Sequence, residues 1–402
     1  RLFTSRNLKN YFSGNKLISI DRNLIDSIFR FKEKKTKPFY SLQKKIIGET
    51  HQSKISKIAS FIGGKEVEYL EDNLTSITEN KFAITCANGT DAIQLALRSL
   101  DIGRGDIVLV PNMTFWATFE AVVNVGASPL TVDSETKDAG VDINAFMEAV
   151  EKFQPKAAVI AHLYGWGTAN LEKVRNYCSA EKVFLIEDGA QCFGTKYQDD
   201  PIYKKALIST TSFYPAKVLG GAGDGGAVFT NNEFLAKKVR QLANHGRTSH
   251  YGYGLVGWNS RLDSLQAAYL NLAIEFLPQR ITSRIDAIQF YKSHLCDIGI
   301  HHMNAPKSYQ ENGYCHVGMI DDLSLKKKLE ISLLEQKIGF GNIYPGPMSE
   351  QECSPRYMKS HVGGNMAHQI CDTVINLPVF PYINEQELWE VVETVKTVCK
   401  GK

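Results

Sequence analysis

From residue 81 onward, short apolar runs alternate with stretches whose apolar residues recur every three or four positions. Apolar, β-rich runs bounded by turn formers predict strands, and the three-to-four spacing predicts helices. On that basis strands are expected over residues 81–86, 106–111, 128–132, 157–161, 183–187 and 206–213. Helices are expected over 91–100, 119–125 and 171–178, and in the first of these Ala92, Leu95, Ala96 and Leu100 share a face. Alternation of this kind implies an α/β fold, with a large, mostly parallel sheet covered by helices on both sides. Ligands in such folds collect beyond the carboxyl ends of the strands.

After Phe276 the pattern changes to a long helix over 278–295, loops around 304–313 and 339–355, and a closing helix over 385–398. The division expected is a large domain over 54–277, a smaller α+β domain over 278–402, and a polar N-terminal segment over 1–53 packing with the small domain. No internal repeat or low-complexity tract interrupts this order.

Composition narrows the function classes. The 402 residues allow a large buried core, 43% of them are apolar, and no run approaches the roughly 20 apolar residues of a membrane span. A formal charge of +3 exerts no pull toward nucleic acid or anionic lipid, and the short basic patches at 32–35 and 326–328 read as solvated surface. The eight cysteines are scattered with no Cys-x-x-Cys pair, so neither a metal site nor a disulfide framework is expected. Apolar flanks around Cys86, Cys192 and Cys371 fit buried, reduced thiols and a cytoplasmic enzyme. The basic start Arg1–Lys9 has no apolar core behind it, so no signal peptide is expected, and the missing initiator Met suggests a start inside the natural chain or after processing.

Three segments can carry chemistry. Between a strand and a helix lies Thr85-Cys86-Ala87-Asn88-Gly89-Thr90-Asp91, where Gly89 permits close backbone approach and Asn88, Thr90 and Asp91 suit a helix start. Such a start presents free N–H groups and a positive dipole end to a phosphate, although an ordinary capped helix has the same pattern. Asp188 ends a buried strand in Phe184-Leu185-Ile186-Glu187-Asp188-Gly189-Ala190-Gln191, where a carboxylate needs a partner or caps the next helix. Paired with a pyridinium N–H, it would keep an aromatic ring protonated as an electron sink, and Gln191 follows one helical turn on. Lys217 follows a strand in Ser212-Phe213-Tyr214-Pro215-Ala216-Lys217-Val218-Leu219, in apolar, Gly-rich surroundings without an adjacent acid. Desolvation there would disfavour the ammonium, as an imine-forming amine requires, and Ser212 can donate to a phosphate. Gly221, Gly223 and Gly226 also spell G-x-G-x-x-G, but the next residues, Ala227-Val228-Phe229-Thr230, look like a strand where the dinucleotide fingerprint needs a helix.

Together these segments resemble the DegT/DnrJ/EryC1/StrS family of sugar aminotransferases, pyridoxal-phosphate (PLP) enzymes of fold type I. The resemblance runs from about Ile62 to Phe276, with weaker matches from Asn376-Leu377-Pro378 to Tyr382. Its blocks appear in order: residues 86–91, Pro111-Asn112-Met113-Thr114-Phe115 with Ala117-Thr118, Gly126-Ala127-Ser128-Pro129 with Val132-Asp133, and His162-Leu163-Tyr164-Gly165. The series continues with Glu187 to Gln191, Ser212 to Lys217, Gly223-Asp224-Gly225-Gly226, and Gly257-Trp258-Asn259-Ser260-Arg261 with Gln266-Ala267-Ala268.

The resemblance implies a role for each position. Lys217 would hold the cofactor as an imine and, once freed, shuttle the proton; Asp188 would hold the pyridine nitrogen and Gln191 lie near the phenolic oxygen. Gly89, Thr90 and Ser212 would bind the phosphate, and Phe115, in preference to Trp116, would stack on the ring. Asn259 would reach the phosphate of the neighbouring subunit, which implies a homodimer, while His162 would line the substrate pocket or be structural. The implied reaction passes an amino group from an amino acid, glutamate foremost, through pyridoxamine phosphate to a nucleotide-linked ketosugar. The blocks look most like members that aminate a 3-keto rather than a 4-keto sugar, in amino-sugar and surface-polysaccharide biosynthesis.

Three departures stand out. The family often carries His-Tyr-Pro and Leu-His-x-Gln beside the sugar site, whereas residues 342–351 here contain neither histidine. Asn88 stands where many relatives have Ser, and Gly221-Ala222-Gly223 is richer in glycine than usual. Lys217 argues against the dehydratases of this fold, which carry histidine there. Amination of a non-nucleotide cyclic ketone and a non-catalytic, regulatory role both stay open on the sequence.

Overall fold

Two of the most apolar runs, Ile107–Pro111 and Ala157–Ala161, lie side by side in the middle of a sheet, where helices cover both faces. The computed structural model describes residues 62–400 except Asp297. In chain order the elements begin with α1 (Lys65–Thr78), β1 (Phe82–Cys86), α2 (Gly89–Ser99), β2 (Ile107–Pro111), α3 (Trp116–Asn124) and β3 (Ser128–Val132). Next come α4 (Ile143–Phe153), β4 (Ala157–Ala161), α5 (Leu171–Ala180), β5 (Phe184–Asp188), the short β6 (Lys196–Tyr197) and β7 (Asp200–Pro201), then β8 (Ile208–Ser212) and β9 (Gly226–Thr230). The helices α6 (Glu233–Ala243), α7 (Ser264–Ile274) and α8 (Leu277–His294) lead to β10 (His301–His302), β11 (Tyr309–Gln310) and β12 (Gly318–Met319). The chain closes with α9 (Leu323–Glu335), β13 (Ser360–Val362), α10 (Met366–Thr373), β14 (Val374–Ile375) and α11 (Glu385–Lys400).

The main sheet has eight strands in the order β1-β9-β8-β5-β4-β2-β3-β13, and β9 alone runs against its neighbours. The expected large, mostly parallel sheet with flanking helices is therefore present. Every strand expected from the sequence forms, with ends shifted by up to two residues. Asp188 turns out to be a strand residue itself, paired with Ala161 and Thr210. Helices the pattern did not mark include α4 and α6, each started by a side chain that accepts from the first free amides: Asp142 from Asn144 and Ala145, and Asn232 from Leu235. β9 directly follows the glycine run, so no helix stands where a dinucleotide site would need one.

One buried cluster joins β1, β2, β4, β5, β8 and β9 to α2, α3 and α6, and also includes Met348. A second joins α8, α9 and α11 through Tyr291, Leu329, Leu333 and Val392. Residues 360–362 return to the main sheet as β13 and pair in parallel with β3. The buried carboxylate of Asp133 holds that return by accepting from the amides of Met366 (2.9 Å) and Ala367 (2.7 Å), which begin α10. Cys86, Cys192 and Cys371 are buried, as their apolar flanks predict. Among the described residues no helix is long and apolar enough to cross a membrane, and no group of acidic, His and Cys side chains could hold a metal. The N-terminal segment 1–53 lies outside the described residues.

Candidate active site

Because all strands but β9 point the same way, the ends of β1, β2, β4, β5 and β8 open on one edge of the sheet. A cavity of about 450 Å³ lies there, lined by Asn88, Gly89 and Thr90 after β1, Phe115 after β2, Asp188 at the end of β5, Ser212 at the end of β8, and Lys217 beyond it. Seven of the eight residues expected to bind cofactor from the sequence thus share one site: Gly89, Thr90, Phe115, Asp188, Gln191, Ser212 and Lys217. Asn259 does not line this cavity; it is exposed, with its side-chain oxygen accepting from Arg261 Nη2 at 2.5 Å.

At one end, α2 starts against the end of β8. Asn88 caps it by accepting from the Asp91 amide at 2.8 Å, a task a Ser could also perform. The first-turn amides of Gly89 and Thr90 are left to face the cavity. A Cβ on Gly89 would lie 2.8 Å from Ser212 Cβ, so the helix start approaches this closely only because residue 89 has no side chain. Ser212 Oγ accepts from the Tyr214 amide at 3.2 Å, leaving its O–H to donate. Free amides at a helix start beside two hydroxyls suit a phosphate dianion.

Asp188 is 7% exposed. Its Oδ2 accepts from Thr118 Oγ1 and Thr118 Oγ1 meets Thr114 Oγ1, both at 2.9 Å, while Oδ1 accepts from the Ala190 amide at 3.1 Å. Residues 189–192 form tight turns rather than the helical turn expected. Gln191 Oε1 accepts from the Tyr164 amide at 2.6 Å and its Nε2 donates to the Tyr344 hydroxyl, which leaves one N–H of the amide.

Lys217 is half-buried, and loss of water lowers its pKa, with the negative charge of Asp188 opposing the shift. The acid absent from its chain neighbourhood is thus supplied across the sheet. Phe115 is 62% exposed in the cavity wall, whereas Trp116 stacks on Phe119 with ring centroids 4.9 Å apart and belongs to the core side of α3. His162 borders the cavity, but its Nε2 is 2.9 Å from Glu187 Oε2, and Glu187 also receives Arg175 Nε at 2.7 Å and Nη2 at 2.8 Å. These buried contacts lower the Glu187 pKa against the opposing effect of burial, and they favour a structural role for His162.

The donor set fits pyridoxal phosphate: a phosphate cradle, a buried carboxylate, a partly desolvated amine and an aromatic wall around one cavity. Tyr314, Ile343 and Tyr344 complete the lining from the C-terminal part. Tyr314 carries no expected role from the sequence, because nothing local distinguishes it from any loop tyrosine.

The DegT/DnrJ/EryC1/StrS aminotransferase family model matches residues 42–396. This chain belongs to that family. Among curated relatives, the aminotransferase is 33% identical over 350 residues to the UDP-N-acetyl-3-dehydro-alpha-D-glucosamine 3-aminotransferase of Acidithiobacillus ferrooxidans, covering 87% of this chain and 92% of that one. It is also 33% identical over 347 residues to the UDP-2-acetamido-2-deoxy-3-oxo-D-glucuronate aminotransferase of Pseudomonas aeruginosa, covering 86% and 92%. Among solved structures it resembles DesV of S. venezuelae, with a TM-score of 0.84, 27% identity, and coverage of 90% of this chain and 96% of that one. The protein is a PLP-dependent sugar aminotransferase.

Proposed function

We propose that this aminotransferase moves the amino group of glutamate to C3 of a nucleotide-linked 3-keto sugar, in amino-sugar biosynthesis for surface polysaccharide. The observation that carries the chemistry is the convergence of Lys217, Asp188 and the Gly89–Thr90–Ser212 cradle on one cavity. The preference for C3 is supported by the two UDP-sugar relatives, both of which act on 3-keto sugars by name.

When bound, pyridoxal phosphate supplies a carbonyl carbon that exchanges amines and a ring that accepts electrons. Gly89, Thr90 and Ser212 would hold its phosphate, and Phe115 would cover one face of its ring. Asp188, kept in place by Thr118 and the Ala190 amide, would hold the proton at the ring nitrogen. Gln191 would offer its remaining N–H to the phenolic oxygen. Lys217 Nζ would bind the cofactor covalently at rest. Once freed, it would take the proton from the α-carbon of the donor and deliver one to the sugar carbon that receives nitrogen. Its desolvation favours the neutral amine that this proton transfer needs.

The site is completed, in this reading, by a second copy of the chain. Asn259 stands outside its own cavity in a segment with exposed apolar side chains, Tyr251 (84%), Val256 (83%) and Leu265 (64%), of the kind an interface covers. The domain division at 277/278 belongs to the same proposal. Mixing Lys217→Ala with Asn259→Ala protein should restore activity, because one mixed site then carries both wild-type residues.

The substrate is tested with UDP- and dTDP-linked 3-keto and 4-keto sugars and free cyclic ketones, each with glutamate or glutamine. The proposal expects turnover of a 3-keto nucleotide sugar with glutamate; turnover confined to 4-keto sugars or to free ketones would overturn it.

A further inference from the structure

Lys217 Nζ has one hydrogen-bonding neighbour among the described residues, Tyr314 Oη at 3.4 Å, and it lies 5.2 Å from the centre of the same ring. The ring arrives from the C-terminal part of the chain, far from Lys217 in sequence, and its backbone is fastened on both sides. Its amide donates to Asn312 Oδ1 at 3.0 Å, and its carbonyl accepts from Arg284 Nη1 at 3.1 Å. Asn312 is fully buried and spends its amide on the carbonyls of Gln191 (2.9 Å) and Phe193 (3.0 Å), so the loop is tied to the turn that follows Asp188. Between them Gly313 has φ of +68°, and a Cβ there would lie 2.7 Å from Arg284 Cβ. Two buried side chains and an obligatory glycine therefore aim one phenol at one amine.

We propose that Tyr314 is a positioning residue for the reaction, whose hydroxyl docks the Lys217 amine whenever that amine is not covalently bound. This rests on the reading of Lys217 as the cofactor-binding lysine. Burial raises the phenol pKa, so the hydroxyl keeps its proton and can serve both states of the amine. It donates to the lone pair of the neutral amine and accepts from the ammonium. The other groups that act on Lys217 are Asp188, which favours the ammonium, and Cys192 and Cys315, whose thiols burial holds protonated. None of them has a hydrogen bond to Nζ in the structure. Without Tyr314 the four-carbon stem of the lysine would be free to swing after each release, and the proton transfers would lose their alignment.

The test is Tyr314→Phe, which keeps the ring and its packing and removes only the hydroxyl, with Tyr314→His as a variant that restores a hydrogen-bonding atom. In the full-length protein stripped of cofactor, Lys217 is methylated reductively with formaldehyde across a pH series and its peptide is quantified by mass spectrometry. The ammonium makes the stronger hydrogen bond, so losing the acceptor should move the midpoint of Lys217 labelling to lower pH in Tyr314→Phe. In the holoenzyme kcat should fall about 10- to 100-fold, the range expected for one charge-assisted hydrogen bond, with KM for glutamate nearly unchanged and partial recovery in Tyr314→His. An unchanged labelling midpoint together with a kcat within about twofold of wild type would overturn the proposal. If borohydride reduction of the wild-type holoenzyme fixes the cofactor to a different lysine, it is the reading of Lys217 that fails; if it fixes Lys217 and Tyr314→Phe changes nothing, only the role of Tyr314 fails.

Discussion

At the cofactor end of the cavity, each key side chain sits at or just beyond the end of a strand. Asn88 to Thr90 follow β1, Asp188 ends β5, and Ser212 ends β8 with Lys217 five residues on. The opposite side, proposed here as the acceptor end, takes Ile343 and Tyr344 from a loop that runs on to residue 351 and is fastened by distant partners as well as by bonds of its own. The amide of Met348 donates to the Asn112 carbonyl at 2.7 Å and that of Ser349 to Asn112 Oδ1 at 2.8 Å, while Glu350 meets His368. One end inherits its geometry from the sheet, and the other depends in part on side chains that could be exchanged singly. Local strand ends make a stable base for chemistry that must not vary, and a loop pinned by replaceable contacts is a place where substrate choice can change. Changes at the cofactor end should therefore abolish turnover, whereas changes at the acceptor end should shift sugar KM and leave the donor half-reaction intact.

The sharpest test of the first half is Lys217→Ala. Removing the group proposed to bind cofactor and move the proton should cost about three orders of magnitude or more in kcat. Borohydride should then trap no cofactor on the chain. Near-normal transamination by this variant would break the contrast at its base.

Asp188→Asn should come next. It keeps the shape and one acceptor for the Ala190 amide, turns the oxygen facing Thr118 into an N–H donor, and removes the charge that would hold the proton at the ring nitrogen. We expect weaker cofactor binding by equilibrium dialysis and a fall in kcat of about a hundredfold, at the low end of proton-management effects. Equal kinetics would reject the pairing while leaving the phosphate cradle in place.

The same contrast governs what could be read without coordinates. Strand ends announce themselves: 157–161 is one apolar run, and Gly89 and Asp188 sit where such runs stop. The acceptor end was legible only as a departure from the family, because residues 342–351 carry no periodicity. β13 was invisible for a similar reason. Ser360-His361-Val362 is too short to signal a strand, and its place beside β3 is secured by Asp133, whose partner Met366 is 233 residues away. Tyr314 is the extreme case: its role depends on Asn312 and Arg284 turning an ordinary loop tyrosine toward Lys217.

Asn112→Ala probes the loop directly. The buried side chain loses Oδ1 and leaves the Ser349 amide without its partner, while the backbone bond to Met348 remains. One lost hydrogen bond of about 1 kcal/mol should raise sugar KM about fivefold. The rate at which glutamate bleaches the bound cofactor should stay within about twofold, since the strand-end residues and Tyr314, on which that half-reaction is proposed to depend, keep their contacts. Equal losses in both half-reactions would show that the two ends are not independent.

The smallest expected effect concerns pH. His368 Nδ1 lies 2.9 Å from Glu350 Oε2 and its Nε2 lies 3.2 Å from Asp372 Oδ2, so the imidazolium links the acceptor loop to α10. The hydrogen bond to Glu350 is the main cause of a raised His368 pKa, followed by the charges of Glu350 and Asp372. A folded-state pKa above the ordinary value of 6.5 means that the link is fully present below that pH and is lost as pH rises through the raised pKa. The group is exposed and screened by solvent, so the gain should be slight. Sugar KM should drift upward by less than about twofold over that interval, with the drift weakened by added salt. His368→Ala should show the high-pH KM at every pH tested. A drift that survives in His368→Ala would mean that another group fastens the loop, and the acceptor end would then be less dependent on single side chains than its contacts imply.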